Sequence, residues 1–258
     1  RNLPEDVRQW RRSLAAASFL PDRPAGRETH PAATNLGKSP LPDSTPLLEA
    51  QDISFSYRQG QGILQDLSFH IALGQHTAIV GASGAGKTTL KALLGVWPPD
   101  SGTLLLEGQP YASLPASAIH QAIAALPQGS VLLSGSIREN FERYRPECSR
   151  EDMHEALADA QLSEVIAALP DGIDTPLGED ACNLSGGQRS RLLTALAIAG
   201  NEPLVLLDEP TCGLDAKTAA ALIDALFQRV HKTGQTLLVI THENDILKNF
   251  SQVLELRK

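Results

Sequence analysis

Gly81-Ala-Ser-Gly-Ala-Gly-Lys-Thr88 decides how this chain is read. The pattern G-x-x-x-x-G-K-[ST] puts glycines where backbone N–H groups close around phosphate oxygens, at the point where a helix aims the positive end of its dipole. Gly81, Gly84 and Gly86 supply the backbone freedom. Lys87 is set to reach the β- and γ-phosphates of a nucleotide, and the Thr88 hydroxyl to ligate Mg²⁺. Ser83, Ala85 and Thr89 complete the run expected to line the phosphates. The context agrees with the motif. Thr77–Val80 reads as a short buried strand entering the loop, and Leu90, Leu93, Leu94 and Trp97 share one face of a helix leaving it, stopped by Pro98-Pro99.

Two continuous apolar runs, Leu204–Leu207 and Leu237–Ile240, have the composition of parallel strands covered on both faces. Ala216–Lys232 between them reads as a helix, and the alternation predicts an α/β core with a parallel central sheet. Alternating apolar residues in Ile53–Tyr57 and Leu67–Ile71 predict half-exposed, antiparallel strands, a separate β subdomain. Residues 130–200 carry mainly helical patterns, with a capping-box-like start at Ser149-x-x-Asp152, and predict an α-helical subdomain inserted into the core. No internal repeat is apparent.

The compact domain is expected over residues 47–258, with residues 1–46 outside it. Residues 5–20 read as an amphipathic helix whose stripe of Val7, Trp10, Leu14 and Ala17 has no evident partner. Residues 21–46 hold six prolines and few large apolar side chains, the composition of a linker. The chain opens on Arg1-Asn2, which suggests a piece of something longer. A formal net charge of -8 argues against general attraction to nucleic acid. Three cysteines, Cys148, Cys182 and Cys212, match neither a zinc site nor a disulfide framework, which suits reducing cytosol. Nowhere do 18 consecutive apolar residues occur, so no membrane-spanning helix is predicted, and no signal peptide is visible.

Leu204-Val-Leu-Leu-Asp208-Glu209 ends an apolar strand in two carboxylates. Neighbouring side chains on an extended chain point to opposite sides, so the two can take different tasks. Asp208 matches a Walker B aspartate that holds Mg²⁺. Glu209 is placed to orient or deprotonate an attacking water. About a hundred residues after the glycine loop stands Leu184-Ser-Gly-Gly-Gln188, without a substitution from the signature pentapeptide of ATP-binding-cassette (ABC) ATPases.

On these motifs Leu47–Lys258 resembles the nucleotide-binding domain of ABC transporters, about four-fifths of the chain. The resemblance implies a RecA-like P-loop core that binds and hydrolyses ATP with Mg²⁺. Residue by residue, Tyr57 matches the A-loop aromatic that stacks on adenine. Gln128, in Leu-Pro-Gln, matches the Q-loop glutamine that touches Mg²⁺ or water. Ser185, Gly186, Gly187 and Gln188 match the signature that binds the γ-phosphate held by an opposite subunit. Asp215 matches the D-loop, and His242, in Ile-Thr-His, the switch histidine.

The catalytic set implied is therefore Glu209, His242, Lys87 and Gln128, and the metal set Thr88, Gln128 and Asp208. Ser136-Ile-Arg-Glu-Asn140 resembles a segment of exporter-type members that follows the Q-loop, and Thr175-Pro-Leu-Gly-Glu179 resembles their loop that meets the coupling helices of the membrane domain. The branch implies a transmembrane domain fused upstream, a second nucleotide-binding domain as partner, and a place at the cytoplasmic face of a membrane. The alternatives are a stand-alone importer ATPase, a soluble ABC ATPase, or a regulatory domain that binds ATP without hydrolysing it. Cys212-Gly213 in the D-loop and Leu196 in the helix after the signature depart from the usual residues, but neither removes a phosphate- or metal-binding group.

Overall fold

The structure, a computed structural model, describes residues 45–58, 61–82, 84–95, 98–125, 132–178 and 181–256. The side chains of Tyr57, Arg58, Gln61, Thr88, Lys91 and Ala92 lie outside the description. So do the helix expected at 5–20 and nearly all of the linker expected at 21–46. Two compact units divide the chain, residues 1–123 with 238–258, and residues 124–237.

In the first unit, β1 (Leu48–Arg58) and β2 (Gln61–Ile71) form a long antiparallel pair. With β4 (Ser101–Leu106) and β5 (Gln109–Pro110) they make a four-stranded sheet in the order β2-β1-β4-β5. The inward residues Ile53, Leu64 and Ile71 are fully buried. Here the structure shows a short repeat that the sequence reading passes over: Gln51-Asp-Ile-Ser-Phe55 recurs as Gln65-Asp-Leu-Ser-Phe69. Asp52 and Asp66 both take φ +46°, and the β1–β2 register slips on either side of the Ile53↔Leu67 pair. Each irregularity is closed by the serine of the other copy. Ser68 Oγ accepts from Asp52 N at 2.8 Å, and Ser54 Oγ accepts from Asp66 N at 3.0 Å. A bulge leaves a backbone N–H out of the ladder, and a serine across the pair satisfies it.

β3 (Thr77–Gly81) runs parallel to β10 (Thr236–Ile240) on one side and β11 (Gln252–Leu256) on the other. The five-stranded sheet has the order β11-β3-β10-β9-β6, with β6 at Ile123–Ala125 and β9 at Leu204–Asp208. α1 (Lys87–Gly95) follows β3 directly, and α2 (Ala116–Ala122) leads into β6. The expected helix on Leu90, Leu93 and Leu94 is present, and those three are buried.

The second unit is mostly helical before β9. It holds α3 (Ile137–Tyr144), α4 (Arg150–Asp159), α5 (Ser163–Ala167) and α6 (Gly186–Ile198), followed after β9 by α7 (Ala216–Thr233). α4 packs on α6 and α7, and α6 on β9. α6 is apolar on nearly every side toward its end, where Leu192, Ala195, Leu196, Ala197 and Ile198 have no exposed surface.

A buried helix end needs partners for its last carbonyls. Arg145 supplies them at Leu196 and Ala197, and Arg229 at Ile198. Each arginine also meets a carboxylate, Arg145 that of Glu202 and Arg229 that of Asp159. Ser149 caps α4 as its spacing predicts, accepting from Asp152 N at 3.0 Å.

Candidate functional site

The first unit builds the phosphate loop from its strand pairing upward. β3 ends at Gly81, where a Cβ would lie 2.8 Å from the Leu256 carbonyl of β11, so the tight sheet leaves no space for a side chain. Gly84 and Gly86 have φ +78° and +91°, values that suit residues without a Cβ. Ala85 N donates to Ala82 O at 3.1 Å and closes the loop. The first turn of α1 then forms as Leu90 N donates to Gly86 O at 2.8 Å. Ala85 and Thr89 are buried, and Lys87 is half-buried with its ammonium donating to the carbonyls of Gly81 and Ala82.

Register places the histidine. Ile240 pairs with Ile79, so His242 and Gly81 each stand two residues beyond one matched pair, at the same end of neighbouring parallel strands. Thr241 holds that end: its N–H donates to Ile79 O at 3.0 Å, and its hydroxyl accepts from Glu243 N at 3.0 Å. His242 itself is exposed. Tyr57 lies near the end of β1, but its side chain is outside the described residues, as are Ser83, Gln128 and the Thr88 side chain.

In the second unit β9 is buried until Asp208, which is half-exposed. Glu209 follows with φ +49°. A left-handed backbone is unusual for a non-glycine residue and turns the chain sharply at the strand end. The expectation that Asp208 and Glu209 alternate as on an extended strand is thereby modified, because Glu209 is already outside β9. The segment continues in turns to Asp215, whose carboxylate accepts from Lys217 N at 3.1 Å and Thr218 N at 3.0 Å as the N-cap of α7. Bonds from the Thr218 hydroxyl and these backbone groups hold that carboxyl below the usual carboxylate range.

The signature starts α6 with a reciprocal cap. Ser185 Oγ accepts from Gln188 N at 3.2 Å, and Gln188 Oε1 accepts from Ser185 N at 2.8 Å. S-x-x-Q is a capping-box pattern, readable from spacing alone. The box uses a lone pair of the serine hydroxyl and leaves its hydrogen to donate elsewhere. Ser185 and Gly186 are exposed.

Upstream, Gly135–Ser136 (β7) pairs with Pro176–Leu177 (β8). Arg138 bonds Asp174 through Nε at 2.6 Å and through a terminal nitrogen at 2.9 Å. The two exporter-like segments are thus joined to each other, which their separation in sequence conceals. Asn140, fully buried, ties Leu133 and Ser136 with three hydrogen bonds.

Among the described residues no helix is long and apolar enough to cross a membrane. Residues 64–212 match the ABC transporter family. The chain is 35% identical over 226 residues to the ATP-dependent lipid A-core flippase of Chromobacterium violaceum, covering 87% of this chain and 38% of that one. It is 37% identical over 209 residues to the glutathione/L-cysteine transport system ATP-binding/permease protein CydC of Escherichia coli, covering 80% and 36%. The mycobactin import ATP-binding/permease protein IrtB of Mycobacterium tuberculosis is 36% identical over 211 residues, 81% of this chain and 36% of that one.

A bacterial Atm1-family ABC exporter solved with ATP bound superposes with a TM-score of 0.75 at 31% identity, over 87% of this chain and 40% of the other. The chain therefore spans less than two fifths of the length of those three relatives. With the phosphate loop, the two-carboxylate strand end and the signature all in place, the chain belongs to the ABC transporter family and carries its ATPase domain.

Proposed function

We propose that this domain drives an exporter-type transporter by closing head to tail on a second nucleotide-binding domain, identical or related. It would work at the cytoplasmic face of an inner or plasma membrane, with a transmembrane domain on the same polypeptide. The permease part of the relatives' names supports that partner. The observation that carries the reading is the presented signature: Ser185 and Gly186 are exposed at the start of a 13-residue helix, with a hydroxyl hydrogen free to donate. Such a helix start suits a phosphate brought by another molecule.

ATP is the substrate, and the positive-φ glycines with Lys87 fit its phosphates. Lys87 would donate to β- and γ-phosphate oxygens, and Tyr57 would stack on the base. Thr88, Gln128 and Asp208 would hold Mg²⁺, since hydroxyl, amide and carboxylate oxygens are the hard donors that ion takes. When bound, Mg²⁺ neutralises charge on the phosphate oxygens.

Glu209 would orient or deprotonate the water that attacks the γ-phosphorus, and His242 would help position it. The bond from that phosphorus to the ADP oxygen breaks as the new P–O bond forms. Ser185, Gly186, Gly187 and Gln188 would close over the γ-phosphate held by the opposite domain. ATP then favours the closed pair because it binds that state better than the open one.

The test is the solution mass of the Glu209→Gln chain with and without ATP-Mg²⁺. A dimer present only with ATP is expected; a chain that binds ATP and stays monomeric would argue against closure on its own copy. Inward transport is a second reading, favoured by the mycobactin-import relative. Substrate accumulation against efflux in cells carrying the full-length gene decides between them.

A further inference from the structure

Leu64 and Leu67 are both buried, 0% and 4% exposed, although they stand three residues apart on one strand. On a regular strand side chains alternate, so residues three apart face opposite sides of the sheet. The bulge at Asp66 resolves the conflict. Between the pairs Ile53↔Leu67 and Phe55↔Leu64, β1 advances two residues while β2 advances three. Gln65 and Asp66 are both exposed, and Ser54 Oγ accepts from Asp66 N at 3.0 Å, which holds the extra residue in place. A one-residue slip exchanges the faces of every side chain beyond it. Without the bulge, the alternation that buries Ile71, Phe69 and Leu67 would turn Leu64 to the solvent side.

Turned inward, Leu64 meets the phosphate loop. A Cβ built on Gly86 would stand 2.7 Å from Leu64 Cδ2, 3.2 Å from Ile63 Cγ2 and 3.3 Å from Ile63 O. β2 therefore lies directly against the bare α-carbon of Gly86, which is buried at φ +91°. Gly86 precedes Lys87, and its carbonyl accepts from Leu90 N at 2.8 Å in the first turn of α1. Where this glycine sits thus fixes where the helix starts and where its free N–H groups point. Close packing transmits a displacement at Leu64 to that point rather than absorbing it. The twin bulge at Asp52 has the same chemistry and another destination, since the Asp52 carbonyl lies against Gly102 of β4.

We infer that Leu64 is a positioning residue for the phosphate loop, and that the bulge at Asp66, closed by Ser54, is what aims it. β2 then seats Gly86 so that Lys87 and the start of α1 present their donors to the phosphates of ATP. The inference rests on the proposed phosphate-binding role of Lys87 and its loop. It gives Ser54 and Asp66, two polar residues of the antiparallel sheet, a part in nucleotide affinity.

The test is the affinity of the full chain for ATP-Mg²⁺, read by displacement of a fluorescent ATP analogue, with the melting temperature measured without nucleotide. The variants are Leu64→Ala, Leu64→Met, Ser54→Ala and Ser68→Ala. Leu64→Ala is expected to weaken ATP binding about tenfold, and Leu64→Met, of similar volume, to recover most of the loss. Ser54→Ala should weaken it about threefold, because the Asp66 N–H loses its acceptor and the bulge is freed to shift. Ser68→Ala removes the same bond from the twin bulge and should leave affinity within about 1.5-fold, whatever it does to the melting temperature.

Wild-type affinity in Leu64→Ala or in Ser54→Ala overturns the inference. So does a loss that Leu64→Met leaves unrepaired, or one that Ser54→Ala and Ser68→Ala share in proportion to their melting temperatures. If Leu64→Ala does not fold, Leu64→Val decides in its place, and wild-type affinity there also overturns the inference. Lys87→Ala is measured alongside: unchanged ATP binding in that variant sinks the reading of the loop itself, whatever happens at Leu64.

Discussion

Arg229 Nε donates to the Ile198 carbonyl at 2.8 Å, so a buried guanidinium from α7 closes the last turn of the helix that begins at the signature. Its other end bonds Asp159 at the C-terminus of α4. One side chain therefore joins three helices, and its positive charge lies at the end of α6 where the helix dipole favours a cation.

Arg229→Ala should cost about 2–3 kcal/mol of stability, the scale of hydrogen bonds to a charged group. It leaves the Ile198 carbonyl without that donor inside the unit. Denaturant unfolding measures the loss, and a change below about 0.5 kcal/mol would mean that the guanidinium is not structural.

Lys87→Ala should weaken ATP binding by at least about tenfold, the loss expected for a charge-assisted bond to phosphate. The melting temperature without nucleotide should change little, because among the described residues Lys87 bonds carbonyls of its own loop. Titration with a fluorescent ATP analogue tests it, and unchanged affinity contradicts the phosphate-loop assignment.

Asp52 pairs a left-handed backbone, φ +46°, with a bond from Ser68 Oγ at 2.7 Å. Alanine at this position bears the full cost of that conformation, about 1–2 kcal/mol, whereas glycine does not. Asp52→Ala should therefore be less stable than Asp52→Gly in thermal unfolding. Equal stabilities would show that the bulge relaxes when the carboxylate is removed.

Asp215 gives a pH signature. Its carboxyl is depressed by the Thr218 hydroxyl first and by backbone N–H groups after it. Its contribution is complete above the ordinary carboxylate pKa of about 4, and is lost as pH falls through the lower folded-state value. The stability difference between wild type and Asp215→Asn should shrink on acidification across that window. A difference that stays flat with pH would show that the carboxylate charge is not what caps α7.

Local chemistry accounts for what was legible. Gly84, Gly86 and Lys87 form their loop because backbone freedom and charge are properties of single residues, so the motif announces itself wherever it stands. The apolar runs at β9 and β10 were readable for the same reason, as was the Ser149 cap. Other features were not. The partners of Arg145 and Arg229 lie 31 to 70 residues away, and an arginine carries no local sign of the carbonyl or carboxylate it will meet. The link between Arg138 and Asp174 spans 36 residues and follows from the pairing of β7 with β8.

By itself the sequence determined the family, the α/β class and the glycine-rich loop at Gly81–Thr88. Those rest on residue types at fixed spacing, and spacing along one short segment survives any arrangement of the rest. Tertiary structure alone decided that Glu209 leaves its strand in a left-handed turn, that Leu64 lies against Gly86, and that two arginines close the helix behind the signature. These depend on which distant surfaces pack together, and close packing selects among arrangements that local pattern leaves equal.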